Sequence, residues 1–145
     1  MAAYLDTSHL VPLFFNEASS RAVRERAARE RRLWVSTWTL AEFASAVAFK
    51  LRSGQTTAAT ADEARLRPNT VVASGGLDVI DVERADIERA GVLCRAHTSG
   101  LRTPDALHAA LAARLALPLL TCDRRQHDGC SFHGIASEWL NPAKR

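Results

Sequence analysis

The chain has 145 residues and a formal charge of +3, with nineteen Lys and Arg against sixteen Asp and Glu. Hydrophobic residues make up 47% and charged residues 24%, the balance of a globular protein long enough for one real core rather than a disordered or fibrous chain. No apolar run approaches membrane-spanning length, no basic-then-apolar leader opens the chain, and the three cysteines lack framework spacing. The expectation is one domain over residues 1–145, cytoplasmic, not attached to a membrane, with reduced thiols. The mild basic excess permits a nucleic-acid partner without demanding one.

Residues 3–5 predict a short strand running into Asp6. Thr7 or Ser8 is the expected cap of a helix through Phe15, whose run Leu10, Val11, Pro12, Leu13, Phe14, Phe15 is too apolar for a solvated surface helix. It is either buried all round or offers an apolar face to a partner. Ser19 or Ser20 opens a charged helix to about Arg32, and residues 33–36 predict the second strand. A helix over residues 38–52 follows, with Leu40, Ala44, Val47 and Leu51 as its core stripe; Glu42 shares another stripe with Trp38, Ser45 and Phe49. Residues 55–67 read as helical, with Pro68 stopping or kinking them. Gly75 and Gly76 mark a turn, residues 77–82 a third strand, and residues 83–98 a helix ended by Gly100.

The stretch LRTPDALHAALAARLALPLLTCD, residues 101–123, carries the strongest signals. Thr103 is the expected N-cap and Pro104 fits the first helical position. Asp105 then lies in the first turn, where the helix dipole favours a carboxylate. Pro118 closes the helix, residues 119–121 read as a buried strand, and Asp123 falls just past its end. Residues 124–131 predict loop or short helix, and residues 132–135 an edge strand. Alternating strands and helices predict an α/β fold, a mainly parallel sheet with helices on both faces.

In open α/β sheets, ligands bind outside the carboxyl ends of the strands. Asp6 and Asp123 follow strands, Asp105 starts a helix, and Glu42 lies one turn into a helix that itself follows a strand. Two carboxylates ~5 Å apart repel by roughly 3 kcal/mol at an effective dielectric near 20, so protons or a divalent cation must relieve such a cluster. An oxygen-only site suits Mg²⁺ or Mn²⁺ over Zn²⁺, and these ions act on phosphates.

YLDTS at residues 4–8, TLAEF at 39–43, LRTPDALHAALA at 101–112 and LLTCDRR at 119–125 together resemble the PIN domain, and more narrowly the VapC ribonuclease toxins of type II toxin–antitoxin modules. The resemblance runs in order along essentially the whole chain. It implies a three-layer fold and a Mg²⁺-dependent endoribonuclease, with Mn²⁺ able to substitute. The family's acids fall on Asp6, Glu42, Asp105 and Asp123. Its supporting hydroxyl falls on Thr121, with Ser8 a second candidate, and Asp128 is near the place of a further acid. His108 is a motif residue one turn after Asp105; it could hydrogen-bond near the pocket, but it is read first as a structural helix histidine and not as a general base. Arg102, Arg124 and Arg125 flank the acids and are the candidates for RNA backbone contact. The resemblance also implies a homodimer and a VapB-like antitoxin, which sends a basic side chain toward the acids and covers apolar surface at residues 10–15 or 38–49. The rivals are a PIN nuclease in RNA processing without an antitoxin, and a degenerate PIN module that only binds RNA or protein.

Two further features have plain readings. The arginines from Arg21 to Arg32 are expected to form a solvated face. Cys122, His127, Cys130 and His133 match no common zinc spacing.

Overall fold

The structure, a computed structural model, describes residues 1–141. Its strands are short: β1 (Ala2–Leu5), β2 (Arg32–Ser36), β3 (Asp78–Ile80), β4 (Leu119–Thr121) and β5 (Ser137–Trp139). They form one sheet in the order β3-β2-β1-β4-β5, and every pairing is parallel. Parallel neighbours need crossovers, which here are the helices α1 (Thr7–Phe14), α2 (Ser20–Ala27), α3 (Thr37–Arg52), α4 (Ala58–Ala73), α5 (Arg84–Arg95), α6 (Thr103–Arg114) and α7 (Arg124–Phe132).

The sheet is buried on both faces, as crossover helices require. Side chains alternate along a strand, so β1 feeds two cores. Ala3 and Leu5 join Leu120, Val35 and Phe43 on one face; Tyr4 joins Leu119, Ala109 and Leu111 on the other. This is the expected three-layer α/β arrangement. From β1 the chain moves outward through β2 to β3, then returns to place β4 and β5 on the opposite side of β1. The direction of winding therefore switches between β1 and β4, and a crevice opens beyond their carboxyl ends.

Several boundaries differ from the sequence reading. Asp6, not Thr7 or Ser8, caps α1, and its side chain accepts from the His9 N–H. The α1 apolar run is mostly interior: His9, Leu10, Val11, Pro12 and Phe15 are all buried. Helix α2 ends at Ala27 rather than near Arg32, because Arg32 is the first residue of β2. Three arginines of the 21–32 run are paired, Arg21 with Glu25, Arg26 with Glu30 and Glu138, and Arg32 with Asp78. Helix α4 continues through Pro68 to Ala73. Pro68 is buried, and with Leu40, Phe43 and Ala44 it lines the α3–α4 seam, so packing outweighs one missing backbone bond. Arg102, not Thr103, holds the α6 cap position, and α6 ends at Arg114, with Ala116 at φ 53° making the turn before Pro118. Residues 124–132 form a full helix, and the edge strand lies at β5 rather than at residues 132–135. Gly134, at φ 66°, turns the chain between them. Among the described residues no helix is long and apolar enough to cross a membrane.

Candidate active site

The tip of β1 and the tip of β4 are stitched together by hydroxyls. Ser8 Oγ donates to both oxygens of Asp6, at 2.8 and 3.0 Å, and accepts from the Cys122 N–H at 2.8 Å. Thr121 Oγ1 lies 3.2 Å from Ser8 Oγ and accepts from the Asp123 N–H at 2.9 Å. Asp123 is the N-cap of α7, accepting from the Arg125 N–H at 2.8 Å and from the Gln126 N–H at 3.4 Å. Asp105 is the third residue of α6, where Oδ2 accepts from the Arg102 N–H at 3.3 Å. Gln126 donates to the Asp105 carbonyl at 3.3 Å, tying α7 to α6. These carboxylates thus stand at helix starts, where backbone N–H groups and the dipole favour them.

Glu42 enters from α3. Its Oε2 accepts from the Thr7 hydroxyl and lies 2.6 Å from His108 Nε2. With Thr7, Ser8, His108 and Gln126, the four acids Asp6, Glu42, Asp105 and Asp123 line one cleft of about 160 Å³. Thr121 stands just behind it.

Burial sets the charge state here. Desolvation raises the Asp6 carboxyl above its ordinary range, against the opposing pull of His108, Thr121, Ser8 and the His9 N–H. Desolvation also raises Asp105; the Arg102 N–H opposes it and the charge of Asp123 adds to it. At Glu42, desolvation pushes the same way but loses to the hydrogen bond and charge of His108 and to Thr7, so this carboxyl is lowered. The Trp38 indole N–H also faces Glu42, without forming a proper hydrogen bond. The cleft therefore lowers one carboxyl, Glu42, and raises two, Asp6 and Asp105. The carboxylates line its walls rather than meeting at one point: among the described residues no group of three acids, histidines or cysteines is arranged to hold an ion as it stands.

The remaining sequence candidates lie outside the cleft's lining. Asp128 pairs with Arg124 at 3.6 Å on the exposed side of α7. Arg124 also sits over the Trp139 ring at 5.3 Å. Arg125 and Arg102 are exposed beside Asp123 and Asp105. His127 is turned to the Ser137 hydroxyl at 2.8 Å. Sequence reasoning missed Thr7 and Gln126, preferred a structural role for His108 over a hydrogen bond near the pocket, and gave Tyr4 no role at all. The signal for Tyr4 was a lone hydroxyl in the apolar Ala3–Leu5 run.

A model of the PIN domain matches residues 3–130. The chain belongs to the PIN domain family. Solved structures share the fold across their whole length. VapC20 of Mycobacterium tuberculosis, a sarcin-ricin loop cleaving toxin, aligns at a TM-score of 0.71 and 18% identity over 97% of this chain and 100% of its own. FitAcB of Neisseria gonorrhoeae aligns at 0.68 and 18%, covering 100% of both chains. VapBC2 of Rickettsia felis, bound to a DNA fragment from their promoter, aligns at 0.64 and 20%, over 97% of this PIN domain and 100% of that chain. No curated protein sequence matches closely. At such identities the likeness is one of fold, and the chemistry of this PIN domain has to be argued from its own cleft.

Proposed function

We propose that this PIN domain is the endoribonuclease toxin of a type II toxin–antitoxin module, hydrolysing RNA phosphodiesters with Mg²⁺, or Mn²⁺ in its place. The observation that carries the reading is the convergence of Asp6, Glu42, Asp105 and Asp123 on one cleft at the sheet's switch point. The donor set fits a hard cation, because every free donor around the cleft is oxygen and desolvation raises both Asp6 and Asp105, so a bound cation would favour their ionised forms. His108 does not compete as a ligand, since both ring nitrogens are engaged. Asp6, Asp105 and Asp123 would hold the ion. When bound, it neutralises charge on the scissile phosphate and lowers the pKa of the attacking water.

The protein's own groups do the rest. Glu42, fixed through Oε2, presents Oε1 to orient the attacking water and accept its proton. Ser8 and Thr121 hold Asp6 and the Asp123 loop in register. Arg102, Arg124 and Arg125 take the RNA backbone on either side, and the products carry a 5′-phosphate and a 3′-hydroxyl. A VapB-like antitoxin would place a basic group among the acids. Its apolar residues would cover the surface beside Trp38, where Thr37, Ala41, Val82, Pro104 and Leu107 line a cleft of about 380 Å³. A second copy would pack on the exposed Val92 of α5, leaving Ile87 to the antitoxin cleft.

The test is cleavage of single-stranded and looped RNA by protein freed of antitoxin. Cleavage is expected with Mg²⁺ or Mn²⁺ and not in EDTA; full activity in EDTA overturns the metal-dependent reading.

A further inference from the structure

Glu42 is the one cleft acid that sits in the body of a helix rather than at a cap, so no backbone N–H orients it. Its long side chain has three torsions to fix, and His108 and Thr7 do the fixing. Behind His108 the polar chain continues inward. Nδ1 lies 2.9 Å from the Tyr4 hydroxyl, which lies 2.9 Å from Ser36 Oγ and 3.1 Å from Thr39 Oγ1. Ser36 and Thr39 cap α3 reciprocally, each side chain accepting the other's N–H at 3.1 Å. The circuit closes: the N-terminus of α3 anchors Tyr4, Tyr4 anchors His108, and His108 anchors Glu42 two turns further along α3.

Proton positions follow from the ends. Glu42 is ionised and can only accept, so His108 carries its proton on Nε2. On the inner side Nδ1 and the Tyr4 hydroxyl share the next hydrogen bond, and the Tyr4 oxygen is held in turn by the hydroxyls of Ser36 and Thr39. Tyr4 and His108 are both buried in the apolar layer between β1 and α6. Packing alone asks for no such chain there, since buried hydroxyls and imidazoles must each be given partners. Both bonds to Glu42 fall on Oε2, which leaves Oε1 for the cleft.

We infer that His108, braced by Tyr4, is a positioning residue that holds Glu42 in its working rotamer. The inference rests on the nuclease reading. The test is a double-mutant cycle on RNA cleavage with Mg²⁺, using His108→Leu, Glu42→Gln and the pair, with Tyr4→Phe and His108→Gln beside them. His108→Leu should lower kcat about 10- to 100-fold with KM little changed, as losses behind a directly acting group do. His108→Gln keeps an N–H near the carboxylate and should restore part of the loss; Tyr4→Phe, which keeps the ring, should lower kcat less. In the Glu42→Gln background, His108→Leu should cost no more than about a further twofold. Losses that simply multiply would overturn the inference. If His108→Leu fails to fold, Tyr4→Phe and His108→Gln carry the cycle. A readout independent of cleavage is the imidazole ¹⁵N spectrum, which should show a protonated Nε2 in the wild type and a shifted Nε2 resonance in Glu42→Gln. An Nδ1–H tautomer would sink the relay even in an active enzyme. The expected tautomer in a wild type that cuts no RNA would instead overturn the nuclease reading, and the positioning role with it.

Discussion

Asp6 serves two functions with one side chain. It caps α1 through the His9 N–H and contributes a buried carboxyl to the cleft. Substitution by Asn separates the two, because Asn is as good an N-cap as Asp and nearly the same size. The sign of the charge effect follows from the raised carboxyl: a group that protonates more readily folded than unfolded gains stability as pH falls, and its ionised form opposes folding at neutral pH. Asp6→Asn should therefore be at least as stable as the wild type in EDTA at pH 7. Mg²⁺ at a hundredfold excess over its dissociation constant should stabilise the wild type by about 2.7 kcal/mol, since it binds the folded site and hardly the unfolded chain. The variant should respond far less, and its RNA cleavage should fall steeply. Melts of both proteins with and without Mg²⁺, beside a cleavage assay, decide the matter. A strongly destabilised variant that still cleaves would make Asp6 a cap and nothing more.

At the scale of elements, α7 is the piece whose placement matters most to the cleft, because its cap is Asp123 and its first turn holds Gln126. Gly129 lets it sit close. A Cβ there would stand 2.5 Å from Cγ and Cδ2 of Leu101 and 3.1 Å from the Ser99 carbonyl. Gly129→Ala should cost about 1–3 kcal/mol by overpacking and should also weaken cleavage as α7 is pushed outward. Gly91→Ala in α5 is the control: its Cβ meets open space, so urea denaturation should show no loss, and about 0.5–1 kcal/mol of gain. Equal stabilities for the two variants would mean that Leu101 yields and that α7 is not pinned. This close approach was invisible in the sequence, where residues 124–131 read as loop or short helix. What was legible were the local signals: the acids just past the Ala3–Leu5 and Leu119–Thr121 runs, and Asp105 behind Pro104. Local signals failed where tertiary packing overruled them, as in α4 running through Pro68, or where the next strand claimed residues, as at Arg32. The Tyr4–His108 bond joins positions 104 apart in sequence; the lone Tyr4 hydroxyl in an apolar run signals that it needs a partner but not which one.

For the molecule as a whole, acid stability is a contest between opposite kinds of buried group. Asp6 and Asp105, raised by desolvation, take up protons more easily in the folded state and so favour folding as pH falls. His9 works against them. It lies wholly buried on α1, both ring nitrogens lack a hydrogen-bond partner among the described residues, and burial, helped by the charge of Arg26, lowers its pKa from 6.5 to about 4. Folded His9 therefore stays neutral while unfolded His9 charges below pH 6.5. The stability this protects is complete above that value and is lost as pH falls toward 4, by about 3 kcal/mol in all. His9→Leu replaces the ring with an apolar side chain of similar volume and removes the proton acceptor. At pH 7 the variant should be as stable as the wild type or more so, because two unpaired buried nitrogens disappear. Its advantage should then widen between pH 6.5 and 4. In that window the wild type feels both contributions and the variant only the carboxyls. Urea denaturation of both proteins at half-unit steps from pH 7.5 to 4 measures the difference directly. A gap that stays constant over that range would show that His9 takes up its proton as easily folded as unfolded, through a route to solvent or a polar partner that its burial excludes.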